Sequence, residues 1–108
     1  MDAAWTEVGT FDDLPEGKGR QVVVDLVKVL LVRSGERVFA VEDTCTHQGA
    51  PLHAGQVKMG SLASVTCPLH GSTFGLEDGR VLRGPATEPV LTYAAKVEDG
   101  VVFVRPGD

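Results

Sequence analysis

Arg37-Val-Phe-Ala-Val-Glu-Asp-Thr-Cys-Thr-His47 begins as a strand and ends as a loop. Val38, Ala40 and Glu42 alternate with Phe39 and Val41, so a pleated strand puts the two sets on opposite faces. Ser34-Gly35 supplies the turn that leads into it. Beyond Asp43 the alternation stops, and Cys45-Thr46-His47 is followed by the turn-prone Gln48-Gly49-Ala50-Pro51. The arrangement recurs downstream. Ser61-Leu-Ala-Ser-Val-Thr66 reads as a strand, and Cys67-Pro68-Leu69-His70 follows it, trailed by Gly71-Ser72. Each loop offers one thiol and one imidazole.

The rest of the chain has the same texture of short strands and turns. Arg20 to Val24 and Lys28 to Arg33 read as strands, joined by a turn over Asp25 to Val27 that lacks the Gly hairpin turns favour. Leu26 to Val32 is apolar enough for a buried helix, but its β-branched content and short bounded length favour a strand. Ser72 to Leu76, Val90 to Val97 and Val101 to Arg105 add further strands, with turns at Glu77-Asp78-Gly79 and Glu98-Asp99-Gly100. Many short strands with frequent turns define an all-β antiparallel sandwich or small barrel. Asp12 to Gly17 reads as the most flexible stretch and Pro106 to Asp108 as a fraying end. Gly17 and Gly19 lack the third glycine and the βαβ setting of a dinucleotide loop, so they belong to a hairpin approach.

Length and composition narrow the function. A chain of 108 residues makes one domain, residues 1–108. Its 43% apolar and 23% charged residues are ordinary values that exclude a disordered tail. No unbroken apolar run exceeds the four of Val29 to Val32, against the ~20 a membrane helix needs. Met1 to Trp5 shows neither a basic region nor a long apolar one, so the expected compartment is the cytoplasm. The net charge is −5 and the ten Lys and Arg are scattered, whereas a phosphate-tracking surface needs them clustered. Nucleic acid and membrane are therefore not expected partners. An acidic surface fits a basic partner, and it fits simple solubility equally well.

Two cysteines leave three readings: one disulfide, two inert buried thiols, or metal ligands. Without an export signal the disulfide is disfavoured, because the cytosol keeps thiols reduced. Four soft or borderline donors in two tight loops point to a metal. A Cys₂His₂ zinc site is chemically open, although zinc fingers and ribbons keep Cys with Cys and His with His. Here each loop is mixed.

The pair CTHQGAPL and CPLHGSTF resembles the Rieske family, whose motif is C-x-H, a gap, then C-x-x-H, and specifically its small ferredoxins. The resemblance extends over nearly the whole chain. Trp5 to Gly9 looks like the family's opening strand, Val38 to Asp43 like the strand that delivers the first loop, and Gly84-Pro85-Ala86 like the proline loop over the cluster. It implies a Rieske-type sandwich with a cluster-binding subdomain built on loops at about residues 43–53 and 66–74, with the proline loop at 84–86. It implies one [2Fe–2S] cluster per chain, with Cys45 and Cys67 on an inner iron and His47 and His70 on an outer iron. Ser72 is implied as a hydrogen-bond donor to a cluster sulfide. The His47–Cys67 gap is longer than in these ferredoxins, and the excess is expected in the turn around Val57 to Gly60. High-potential relatives bridge their loops with a disulfide, but Ala50 and Leu69 stand at those positions here. They also carry a tyrosine where this chain has Phe74. One missing hydroxyl on the cluster sulfurs implies a potential at the low end of the Rieske range, about −150 mV.

What the resemblance implies is a one-electron carrier rather than an enzyme. It would take electrons from a flavin-dependent reductase and hand them to a terminal oxygenase of a ring-hydroxylating dioxygenase system, in transient contacts and as a monomer. The runner-up is the small Rieske-type subunit of an assimilatory nitrite reductase. From a different class, a zinc-stabilised structural module remains open. An oxygenase large subunit is excluded, because its separate 2-His-1-carboxylate iron site needs more histidines than the remaining His53. His53 itself reads as an ordinary loop residue. Leu52, Leu69 and Pro85 are candidates for an apolar rim around the outer iron. Trp5, Phe11, Phe39, Phe74, Tyr93 and Phe103 read as core or as braces between sheets.

Overall fold

Every stretch selected for β-branched content contains a strand in the computed structural model, which describes residues 4–60 and 62–105. The strands are β1 (Thr6–Thr10), β2 (Gly19–Val24), β3 (Val27–Ser34), β4 (Arg37–Glu42), β5 (Gln56–Lys58), β6 (Ser64–Thr66), β7 (Thr73–Gly75), β8 (Val81–Arg83), β9 (Thr92–Glu98) and β10 (Val101–Arg105). Single turns of 3₁₀ helix occupy Phe11–Asp13 and Leu52–Ala54. All ladders between strands are antiparallel. Six strands form one sheet in the order β1-β10-β9-β4-β3-β2, and four form a second in the order β5-β6-β7-β8. The edge strands β1 and β2 of the larger sheet touch, so it is nearly closed.

The smaller sheet and both Cys/His loops lie between β4 and β9, which are neighbours in the larger sheet: Ala40 faces Tyr93 and Val41 faces Thr92. The chain therefore leaves the larger sheet and returns to it at adjacent points. The packing follows from alternation on β4. Ala40 joins Leu14, Val24, Val29, Leu31, Val102 and Val104 in a core inside the curved sheet. Phe39 and Val41 point the other way, into a second core shared with Val65, Phe74 and Leu76 of the smaller sheet and its flank. β3 serves both cores, with Val29 and Leu31 in one and Leu30 and Val32 in the other. A strand covered on both faces needs no alternation, which is why Val29 to Val32 reads as an unbroken apolar run.

The structure corrects four expectations. Val57 is not in a turn: it lies in β5 opposite Val65, and the connection to β6 begins only after Lys58. β5 and β8 were not foreseen, because three residues are too few to register a period of two. Asp12 to Gly17 is held in place. Leu14 is buried, and the Arg33 guanidinium donates to the carbonyls of Phe11 (3.4 Å) and Leu14 (3.3 Å) while lying 4.0 Å above the Phe11 ring. The expected strand over 61–66 is reduced to Ser64–Thr66, with Ser61 outside the described residues, as are Pro106 to Asp108. Phe11 and Tyr93 pack against the core inside the larger sheet as expected, whereas Trp5 and Phe103 belong to neither core. Phe39 and Phe74 are buried, and Trp5 and Phe103 pack beneath the Lys96 ammonium on the β9–β10 face.

Candidate metal centre

The two loops close in the same way. In the first, the Cys45 N–H donates to the Ala50 carbonyl and the Gly49 N–H donates to the Cys45 carbonyl, both at 2.8 Å. In the second, the Cys67 N–H donates to the Ser72 carbonyl (2.7 Å) and the Gly71 N–H to the Cys67 carbonyl (3.2 Å). Both fifth-position glycines have left-handed backbones, φ +76° at Gly49 and +81° at Gly71. A Cβ at either would meet nothing within 4 Å, so conformation rather than space calls for glycine.

This closure sorts the donors by depth. Cys45 and Cys67 are 2% and 3% exposed and sit in the core between the sheets, each as a free thiol. His47 and His70 are exposed, with ring centroids 5.3 Å apart and planes at 73°. Burial pushes the Cys45 thiol above the ordinary thiol range, and the adjoining Cys67 thiol adds to this. The backbone N–H groups of His47 and Gln48 donate to the Cys45 sulfur and pull the other way. Those N–H groups are part of the site and carry no side-chain signature, so residue types could not reveal them.

Around the loops a polar scaffold fixes the donors. The Ala86 N–H donates to the buried Ser72 hydroxyl at 2.9 Å. The Thr46 hydroxyl donates to the Glu88 carbonyl at 2.6 Å. The segment holding Gly84-Pro85-Ala86 is thereby tied to both loops. Ser72 accepts one bond and still has its own proton to give.

A second device escaped the sequence reading. The Asp43 carboxylate is fully buried and receives three hydrogen bonds: from the His53 backbone N–H (2.7 Å), from the His53 Nδ1 (2.6 Å) and from the Gln21 Nε2 (2.7 Å). One carboxylate thus joins the two ends of the first loop and ties them to β2. His53 is no ordinary loop residue; its ring is 37% exposed and engaged. The available signal was an acid directly after a buried strand and two residues before a candidate ligand. Leu52 is also reassigned: it is fully buried in the core and cannot form a rim, whereas Leu69 and Pro85 are exposed.

The donors fit a binuclear cluster better than one ion. A tetrahedral zinc site needs four donors around a single point. Among the described residues, no three His, Cys, Asp or Glu side chains converge in that way. The buried thiols and the exposed imidazoles form two separate pairs, as required when His₂ replaces Cys₂ on one of two irons.

Comparison with known proteins agrees. The model of the Rieske [2Fe-2S] domain matches residues 4–94, and the chain belongs to that family. It is a Rieske-type ferredoxin, an electron-transfer protein that carries a [2Fe–2S] cluster and performs no bond chemistry itself. Among curated relatives it is 38% identical, over 97 residues and 90% of each chain, to the ferredoxin subunit of 3-phenylpropionate/cinnamic acid dioxygenase from Photorhabdus laumondii. Among solved structures it is similar to the ferredoxin of carbazole 1,9a-dioxygenase from Nocardioides aromaticivorans, with 31% identity, a TM-score of 0.93, and 97% of this chain and 100% of that one covered. A ferredoxin complexed with its oxygenase in carbazole 1,9a-dioxygenase is 31% identical, with a TM-score of 0.86 over 96% and 94% of the two chains. A chain described as the small subunit of an NADH-dependent nitrite reductase from Mycobacterium tuberculosis is 30% identical, with a TM-score of 0.88 over 100% and 99%. No helix among the described residues is long and apolar enough to cross a membrane.

Proposed function

We propose that residues 1–108 act as one cluster-binding domain in which Cys45 and Cys67 hold the inner iron and His47 and His70 the outer iron, with Ser72 donating to a cluster sulfide. The cluster supplies a one-electron couple. The chain's own residues do the rest. The core around the thiols keeps water from the inner side, and the N–H groups of His47 and Gln48 stabilise charge on the Cys45 sulfur. The imidazoles bring the outer side to the surface. The observation that carries this reading is the split in depth between two buried thiols and two exposed, adjacent imidazoles. An electron entering or leaving through the imidazoles is already at the edge of the protein.

The donor is a flavin-dependent reductase and the acceptor a terminal oxygenase, in the cytoplasm. The oxygenase complex of a similar ferredoxin supports the second half of this route. The protein works as a monomer in brief contacts of small area, as electron-transfer encounters generally do. The purified protein should contain two irons and two sulfides, absorb in the visible and give an EPR signal after one-electron reduction. Cys67→Ser should abolish or badly impair that spectrum; a variant with full iron and an unchanged spectrum would remove Cys67 from the ligand set. Copurification with a sirohaem-containing subunit would replace the shuttle with a permanent nitrite reductase assembly.

A further inference from the structure

The smaller sheet has two unlike faces. Val57, Val65 and Phe74 point into the core. The opposite face carries Gln56 and Lys58 on β5, Thr66 on β6, Thr73 on β7 and Arg83 on β8. Over it lies an open cavity of about 460 Å³ that runs up to His70. Among the described residues, no Asp or Glu lines this cavity. Lys58 and Arg83 are exposed, and the side chain of neither is engaged in any ion pair or hydrogen bond found among the described residues. Another charged concavity differs: there Arg37 pairs with Glu77 (3.1 Å) and Arg80 with Asp78 (3.8 Å). In a chain with five more acids than bases, an acid-free basin with two uncommitted cations is a local reversal of sign, and it adjoins one of the two exposed imidazoles.

We propose that this basin is a docking surface for an acidic segment of a redox-partner protein, with Lys58 and Arg83 receiving its Asp or Glu side chains beside His70. The proposal rests on the electron-carrier reading and specifies the partner's chemistry. Charge is screened over ~8 Å at physiological salt. The net charge acts on distant approach, and the basin decides the final orientation. Rim charges of this kind set encounter rate and register more than affinity. A partner with an acidic segment is turned so that its redox group meets the His70 side of the tip.

Two measurements on the cluster-loaded protein test this. A fluorescein-labelled hexaglutamate peptide should bind at low salt by fluorescence anisotropy, and an equivalent hexaglutamine peptide should not. The double variant Lys58→Glu/Arg83→Glu should weaken hexaglutamate binding at least fivefold. Arg37→Glu/Arg80→Glu, which changes the net charge equally at the other concavity, should alter it less than twofold. In stopped-flow mixing, the reduced protein gives one electron to ferricyanide, forming ferrocyanide. Steering by the basin makes that rate fall as salt rises, and Lys58→Glu/Arg83→Glu inverts the slope with the visible spectrum unchanged. A wild-type rate that rises with salt, as the net charge alone dictates, would overturn the proposal. So would equal weakening by both double variants, or a salt-dependent ferricyanide rate without hexaglutamate binding, which would make the basin a small-anion site. A preparation without the cluster spectrum would sink the carrier reading, while the peptide measurement would still decide the basin.

Discussion

At the scale of single residues, Phe74 and Ser72 are the positions at which the proposed centre is expected to be tuned. Phe74 is fully buried in the same core cluster as both cysteines, and on the proposed site Phe74→Tyr should direct one added hydroxyl to a cysteine sulfur. A hydrogen bond to a charged acceptor is worth about 1.5–3 kcal/mol, and only its difference between oxidation states moves the potential. With about half of it differential, and tenfold corresponding to about 59 mV for one electron, the potential should rise by about 30–60 mV. Ser72→Ala should lower it by a similar amount. That change also leaves the Ala86 N–H without its acceptor in a buried setting, costing about 1–3 kcal/mol of stability. Voltammetry and thermal melts separate the two effects. A Ser72→Ala protein that loses stability at an unmoved potential would show that the hydroxyl serves only the proline loop.

At the scale of elements, two features invite measurement. The β2–β3 hairpin pairs Val24 with Val27, leaving a two-residue turn of Asp25 (φ 50°) and Leu26 (φ 69°). That is the mirror-image geometry hairpins prefer, reached without glycine. A left-handed backbone costs an L-residue about 1–2 kcal/mol, and the Leu26 side chain recovers little at 96% exposure. Leu26→Gly should therefore stabilise the fold by about 0.5–1 kcal/mol after its greater unfolded-state entropy is subtracted; a lower melting temperature would contradict this. The second feature is the Asp43 carboxylate that closes the first loop. His53→Ala removes a 2.6 Å bond to a buried charge and should cost about 1.5–3 kcal/mol, nearer the lower figure because the ring is partly exposed. His53→Asn, whose amide can donate in the same direction, should restore part of the loss in a denaturant titration. A His53→Ala midpoint equal to that of the wild type would mean that the imidazole bond contributes nothing.

For the whole molecule, the thiol pair sits where the two sheets meet, in the core that joins them. Binding of a cluster by the folded state alone stabilises that state. Removing iron with a chelator should lower the melting temperature. Limited proteolysis of the stripped protein should cut first between residues 43 and 91, the insertion between β4 and β9, because the larger sheet keeps its own core around Val29 and Val102. First cuts in β2 or β3 would show that the sheets do not open separately.

Local chemistry carries far along this chain. The alternation in Arg37 to Glu42 predicts β4 over the same residues, and β-branched runs predict the longer strands, because strand pleat and side-chain stiffness are properties of a few consecutive residues. The two mixed Cys/His loops single out the candidate donors, since soft side chains flanked by glycine at a turn are legible one loop at a time. Other features depend on residues distant in the chain. That the loops face each other, with thiols inward and imidazoles outward, follows from pairing β5 to β8 over a core supplied partly by β3 and β4. The roles of Asp43, His53 and Gln21 depend on bringing β2 against the 52–54 turn, and Leu52 moves from rim to core for the same reason. The basin beside His70 depends on registering Lys58 and Arg83, 25 residues apart in the chain, across one polar face. Three-residue strands have too little sequence of their own to announce such a face, and it exists only once the sheet has formed.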